Sequence, residues 1–191
     1  MLYQVVAILI MLVFYTFYFA KIIIQKKQSI KTNQMGVGNK PRRVLLIERI
    51  MSIATVLTIV FEVSSILLVK NDLPEALRIG GIIIGVVAVL FFAAATITMK
   101  NSWRVGIPEE KTALVTEGIY RWSRNPAFVS FDLLYLSICL MFFNVPLVVI
   151  STWAAVMLHL QIPQEEEHME KMFGEEYVEY KEHTMRYWGR K

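Results

Sequence analysis

Three stretches, 1–24, 44–69 and 76–99, are apolar almost throughout, and each is long enough to cross a hydrocarbon core of ~30 Å, which takes about 20 helical residues. Inside a bilayer no water satisfies the backbone, so a spanning segment of this kind closes its own hydrogen bonds as a helix. At 55% apolar residues the 191-residue chain exceeds the roughly 45–50% of soluble domains, and its mean hydropathy is +0.48. The expectation is an all-α, polytopic integral membrane protein. A single membrane domain, 1–191, would comprise three N-terminal spans over 1–99 and a functional core over 100–191.

Charge orients the spans. Lys21 lies near the end of the first apolar run, Lys26, Lys27 and Lys31 follow it and no lysine or arginine precedes it, the reverse of a cleaved signal peptide, so the segment is expected to stay with its N-terminus outside. Lys40, Arg42 and Arg43 mark 25–43 as a cytoplasmic loop broken by Gly36, Gly38 and Pro41, and Lys100, Arg104, Lys111, Arg121 and Arg124 mark 100–125 as a second. A short turn between Lys70 and Glu75 lies on the outer side. Apolar runs 127–143 and 147–160, turned at Asn144 and Pro146, make a helical hairpin and bring the count to about five spans. Past Pro163 the chain becomes polar. Met169, Met172 and Phe173 recur there at helical spacing, predicting a cytoplasmic amphipathic cap that stops at Gly174. Gly81 and Gly85 offer a small-x-x-x-small face suited to internal helix packing.

The net charge of +4 sits at the edges of apolar runs, and no basic patch interleaved with exposed aromatics suggests nucleic-acid binding. His159, His168 and His183 lack ligand spacing, so no metal centre is expected. Cys139 reads as a small core residue, and no Gly-x-Gly-x-x-Gly turn occurs.

The chemistry concentrates between Leu114 and Phe128 and at Glu165 and Glu166. A helix opened by Pro126 presents free amides and a positive dipole end to an anion, and Arg124 beside it carries a fork that suits a carboxylate. Glu165 and Glu166, returned to the same face by the hairpin, can accept from an ammonium or from ribose hydroxyls. Tyr120, Trp122 and Phe128 supply aromatic faces for an adenine or a sulfonium. Together these describe a site for an amino-acid-bearing nucleotide such as S-adenosylmethionine. Two ionisable residues within the spans, Glu62 and Asp132, are functional candidates by their depth alone.

Gly118-Ile119-Tyr120-Arg121-Trp122-Ser123-Arg124-Asn125-Pro126-Ala127-Phe128, a span pair, then Glu165-Glu166-x-x-Met169 and Phe173-Gly174-x-x-Tyr177-x-x-Tyr180 resemble the isoprenylcysteine carboxyl methyltransferase family and its relatives, the phospholipid N-methyltransferases. The resemblance covers about 114–186 and implies a membrane-embedded, S-adenosylmethionine-dependent methyltransferase whose lipophilic acceptor enters laterally from the bilayer. It implies a cofactor pocket lined by Thr112, Ala113, Leu114, Val115, Tyr120, Asn125, Pro126, Ala127, Phe128 and Glu165. The family's usual Arg-His-Pro-x-Tyr stands here as Arg124-Asn125-Pro126-Ala127-Phe128. Gln161 occupies the position at which prenylcysteine methyltransferases carry an arginine for the substrate carboxylate, which weakens the case for a carboxylate acceptor.

The catalytic set expected from the sequence is therefore Arg124, Glu166 and Asp132, with Gln161, Asp132 and Glu62 towards the substrate. The expected partners are a lipophilic small molecule or lipid substrate and the membrane lipids. Competing readings are an amine or phospholipid N-methyltransferase of the same fold, a reductase using a nicotinamide dinucleotide, and a non-catalytic membrane scaffold.

Overall fold

The structure, a computed structural model, describes residues 1–70, 73–110 and 112–190. Lys111 and part of the turn between Lys70 and Glu75 lie outside the described residues. The fold is all-α. Four long apolar helices, α1 (Leu2–Lys27), α2 (Arg42–Leu68), α3 (Glu75–Met99) and α5 (Val145–Phe173), are each able to cross a membrane, and a shorter one, α4 (Pro126–Met141), lies among them. A last short helix, α6 (Glu175–His183), follows Gly174. With 16 residues, α4 extends about 24 Å at 1.5 Å per residue, less than the hydrocarbon core.

Proline sets several of the starts. Pro41 and Pro74 sit just before α2 and α3, and Pro126 opens α4, positions where the missing N–H costs no intrahelical bond. Asn144 caps α5 by accepting the Leu147 amide at 3.0 Å, and its own amide donates to Ser65 Oγ at 2.8 Å, tying the hairpin turn to α2. The sequence ended the second hairpin arm at Leu160 and placed a separate amphipathic cap past Pro163. The structure corrects this: α5 runs unbroken through Pro163 to Phe173 and Gly174 ends it. The cap is thus the protruding end of a span, continued by α6.

Packing divides the bundle in two. On one side α1 and α4 lean on α3 around Phe14, stacked on Phe92 with centroids 4.4 Å apart, while Phe131 of α4 meets Phe14 edge-on at 5.0 Å. Gly81 and Gly85 lie in the α3–α4 contact, where Ser137 Oγ donates to the Gly81 carbonyl at 2.7 Å, so this small-residue face serves internal packing. On the other side α2 packs along α5 through Met51, Ala54, Ala154, Met157 and Leu158, with Tyr135 of α4 completing the cluster. Between α1 and α2 contact is sparse.

Candidate functional site

A cavity of about 360 Å³ fills the space between these two halves. Its floor is aromatic: Tyr15 and Tyr18 of α1, Phe92 of α3, Phe131 of α4 and Trp103. One wall is the middle of α2, with Ser52, Thr55 and Ile59. At the seam of α1 and α2 two lining residues also face outwards, Phe19 at 52% exposure and Val56 at 57%. The cavity therefore reaches the surface that a bilayer would cover.

The other end is polar. Leu114, Val115, Tyr120, Asn125, Pro126, Ala127, Phe128 and Glu165 all line the cavity, so the two distant segments singled out in the sequence do converge. Glu165 Oε1 accepts from Gln161 Nε2 at 3.3 Å. The start of α4 has no side-chain cap. Its first internal amide bond is Val129 N to Asn125 O at 3.1 Å, so the amides of Ala127 and Phe128 lack a carbonyl one turn back, as at any helix start, and suit an anion. Burial pushes the phenols of Tyr120, Tyr177 and Tyr180 well above their ordinary range, so all three remain neutral hydroxyls.

Thr112 and Ala113 are not brought to the cavity; the Ala113 amide instead donates to Ser102 Oγ at 3.2 Å. Arg124 and Glu166 do line it but are already engaged. The Arg124 guanidinium donates to Glu166 Oε1 at 2.8 Å and to the carbonyls of Lys181 and Thr184 at 3.2 and 2.5 Å. Glu166 also receives Arg186 at 2.7 Å on Oε2, and that hydrogen bond holds Arg186 above the usual guanidinium range. The three form a clamp that fastens the C-terminal tail, and no arm of the Arg124 fork is left for a ligand carboxylate.

The tail is fastened further by Tyr180 Oη to the Tyr120 carbonyl at 2.6 Å, Gly189 N to the Trp122 carbonyl at 2.7 Å and Asn125 Nδ2 to the Arg186 carbonyl at 3.1 Å. Trp188 stacks on Trp122 at 6.1 Å. The Gly118–Arg121 turn that carries Tyr120 is thereby pinned from behind.

Three expected substrate residues stand outside the cavity. Asp132 projects from the opposite flank of α4 into a cleft against α5, where its Oδ2 lies 3.0 Å from His159 Nε2, and His159 Nδ1 lies 2.7 Å from Tyr187 Oη. The reason is helical phase: Phe128 and Phe131 take the cavity side of α4, and Asp132, the next residue after Phe131, is turned about 100° away. Glu62 is fully buried within the bundle and lines neither space. Gln161 is also fully buried, between Glu48 and Glu165.

What the sequence reading left out is the first half of the chain. Tyr15, Tyr18, Phe19, Ser52, Thr55, Val56 and Ile59 form the deep wall, and Asn33, Met35, Arg104, Val105 and Gly106 form the roof. The roof is a loop pair, with Gln34 N donating to the Val105 carbonyl at 2.9 Å and Val105 N to the Thr32 carbonyl at 3.0 Å. The spacing of Tyr15, Tyr18 and Phe19 along one flank of α1 was the available signal.

A family model described as phospholipid methyltransferase matches residues 76–176, from α3 to the start of α6. The chain belongs to the phospholipid methyltransferase family. No curated protein matches it. The family match takes in the pinned Tyr120 turn, the start of α4 and Glu165, and it stops short of the tail clamp at Arg186. Membership gives a membrane methyltransferase of the phospholipid methyltransferase type. The walls built by α1 and α2 lie outside the matched range.

Proposed function

We propose that the chain is an S-adenosylmethionine-dependent methyltransferase of the cytoplasmic leaflet whose acceptor is a lipophilic molecule bearing an amine. The observation that carries this reading is the single cavity joining a polar end at Glu165 and the α4 start to an aromatic floor and a lipid-facing seam. Its volume falls within the roughly 300–1,000 Å³ of small-molecule sites, and its polar end has the donor and acceptor groups that an amino-acid-bearing nucleotide needs.

When bound, S-adenosylmethionine supplies a methyl group made electrophilic by a sulfonium sulfur. Glu165 accepts hydrogen bonds from its ammonium or ribose hydroxyls, and the open amides of Ala127 and Phe128 receive its carboxylate in place of the occupied Arg124. Tyr120 and Phe128 provide flat apolar surface beside the ring system. The acceptor would attack as the free amine, its ammonium having given up a proton to bulk water before entry, and the N–C bond would form as the methyl's C–S bond breaks; the faces of Tyr18, Phe92, Trp103 and Phe131 would attract the cationic methylated product. Holding nitrogen and methyl in line while excluding water is the main work of such a site. The basic residues flanking the polar end, among them Lys26, Lys27, Lys40, Arg42 and Lys100, favour its placement at the cytoplasmic face. We also propose that the three N-terminal spans and the methyltransferase core work as one membrane domain, since the cavity takes walls from both.

Two observations weigh on the alternatives. Of the basic side chains lining the cavity, Arg124 is consumed by the clamp and Arg104 by Glu110 and two carbonyls, which leaves little to meet the extra phosphates of a nicotinamide dinucleotide. The same shortage disfavours a carboxylate acceptor. The test is calorimetric titration of the detergent-purified protein with S-adenosylmethionine and its demethylated product, beside a reduced nicotinamide dinucleotide phosphate. Micromolar binding of the first two, weakened at least about tenfold by Glu165→Ala, is expected. Binding of the dinucleotide alone would make the chain a reductase, and no binding of any of the three would make it a scaffold.

A further inference from the structure

Glu48, on α2 and outside the family match, is fully buried and accepts from four directions. The Gly36 amide donates to Oε2 at 2.8 Å, the Ile107 amide to Oε1 at 2.8 Å, Lys40 Nζ lies 2.8 Å from Oε2, and Gln161 Nε2 donates to Oε1 at 3.4 Å. Gly36 and Ile107 belong to the two loops that form the cavity roof. Gly106, beside Ile107, has φ +82°, and a Cβ there would come 2.9 Å from Glu48 Oε1, so the approach of this loop to the carboxylate depends on glycine.

Gln161 stands between two carboxylates, since the same Nε2 also donates to Glu165 Oε1 at 3.3 Å. An amide nitrogen has two protons and can serve two acceptors, whereas its oxygen facing the Lys40-paired Glu48 carboxylate, which accepts from every other side, would be repelled. The orientation is therefore fixed by chemistry, and it leaves Gln161 Oε1 buried with no partner among the described residues. An arrangement that tolerates a buried orphan carbonyl has its side chain held by the two carboxylates and not by general packing.

We infer that Glu48 is a positioning residue that aims the Glu165 carboxylate into the cofactor end of the cavity through the Gln161 amide. Gln161 thus acts as a spacer between two acids and not as a contact for the acceptor. This inference rests on the reading that Glu165 binds the cofactor. It also gives the N-terminal half a part in the polar end of the site, because the carboxylate that secures the roof loops is the one that orients Glu165.

The experiment is calorimetric binding of the demethylated cofactor product, S-adenosylhomocysteine, to the full-length purified protein, with thermal midpoints of the ligand-free forms. The variants are Glu165→Gln, Glu48→Gln, Gln161→Met and the double variant Gln161→Met with Glu165→Gln. Gln161→Met keeps the side-chain length and removes both the amide donor and the orphan carbonyl, so the ligand-free midpoint should hold or rise while affinity falls roughly five- to tenfold. Glu48→Gln should weaken affinity in the same direction. The double variant should bind no more weakly than Glu165→Gln alone, because the amide acts only through Glu165. Additive losses, or wild-type affinity in Gln161→Met, would overturn the inference while the cofactor reading survived through the effect of Glu165→Gln. Wild-type affinity in Glu165→Gln would remove both. Should Glu48→Gln fail to fold, the Gln161→Met series decides alone.

Discussion

Glu62 is the residue whose surroundings fit its chemistry least. It lies on α2 between Thr58, whose hydroxyl bonds the Ala54 carbonyl at 2.9 Å, and Ser65, which receives the Asn144 amide, yet both of its own carboxylate oxygens lack partners among the described residues. A buried polar group without a partner costs about 1–3 kcal/mol, and a charge within a membrane costs more. Glu62→Met, which keeps the length and removes the polar atoms, is expected to raise the thermal midpoint in detergent by about 3–10 °C. A fall instead would mean that Glu62 has a stabilising partner. Residue identity brought Tyr120, Asn125, Phe128 and Glu165 to one cavity, where a fixed motif places neighbours a few positions apart. It was a poor guide at Arg124, Glu166 and Asp132, because what they do is set by partners from the tail and from α5, and spacing does not encode which partner arrives. An arginine beside an uncapped helix start looks free in a sequence; here Glu166 and two carbonyls occupy it.

At the scale of helices, hydropathy and proline placement sufficed to find every span, and the extents differ mainly where a local signal competed with packing. The second hairpin arm reads as ending at Leu160, but α5 continues through Pro163, since one lost amide bond is a smaller matter than the long contact α5 keeps with α2 on its way to Glu165. The Gly81–Gly85 face was legible as packing, and the structure identifies its partner as α4. A Cβ at Gly81 would lie 2.9 Å from the Ser137 carbonyl oxygen, and one at Gly85 2.5 Å from Ser137 Oγ and 2.9 Å from Ile10 Cδ1. At Gly81 one obstacle is backbone, which cannot step aside, and at Gly85 the obstacles are side chains of α1 and α4 packed against α3. Gly81→Ala and Gly85→Ala should each lower stability by about 1–3 kcal/mol through overpacking, read as a reduced thermal midpoint. Gly80→Ala on the same helix meets nothing within 4 Å and should be neutral or slightly stabilising, as helix propensity favours alanine. Equal losses at all three positions would show that glycine is needed here for backbone freedom and not for close approach.

For the whole molecule, the question is how the proposed lipophilic acceptor would reach a cavity roofed by loops and clamped by a tail. The roof is secured through Glu48 and the back through Arg124, Glu166 and Arg186, so entry from the aqueous side would require breaking buried ion pairs. The seam between α1 and α2 carries no ion pair among the described residues: the two helices touch little, held at their far ends by Gln4 Nε2 donating to the Ile66 carbonyl at 2.9 Å, and Phe19 and Val56 both line the cavity and face outwards. This part of the architecture could not be read from the sequence, because α1 and α2 carry no motif and their separation is a consequence of each finding a different partner, α3 for one and α5 for the other. If acceptors pass through this seam, a bulky side chain at Val56 should stop the lipid while sparing the cofactor end. Val56→Trp is expected to lower methyl transfer to an amine-bearing lipid in vesicles by roughly tenfold or more, the scale on which misplaced or excluded reactants cost rate, with S-adenosylhomocysteine affinity within about twofold of wild type. Ala155→Trp, which fills the separate cleft between α4 and α5 that holds Asp132 and His159, is the matched control and should leave transfer unchanged. The opposite pattern, transfer lost in Ala155→Trp and kept in Val56→Trp, would move the entrance to the α4–α5 face and would bring Asp132 back as a residue that meets the acceptor.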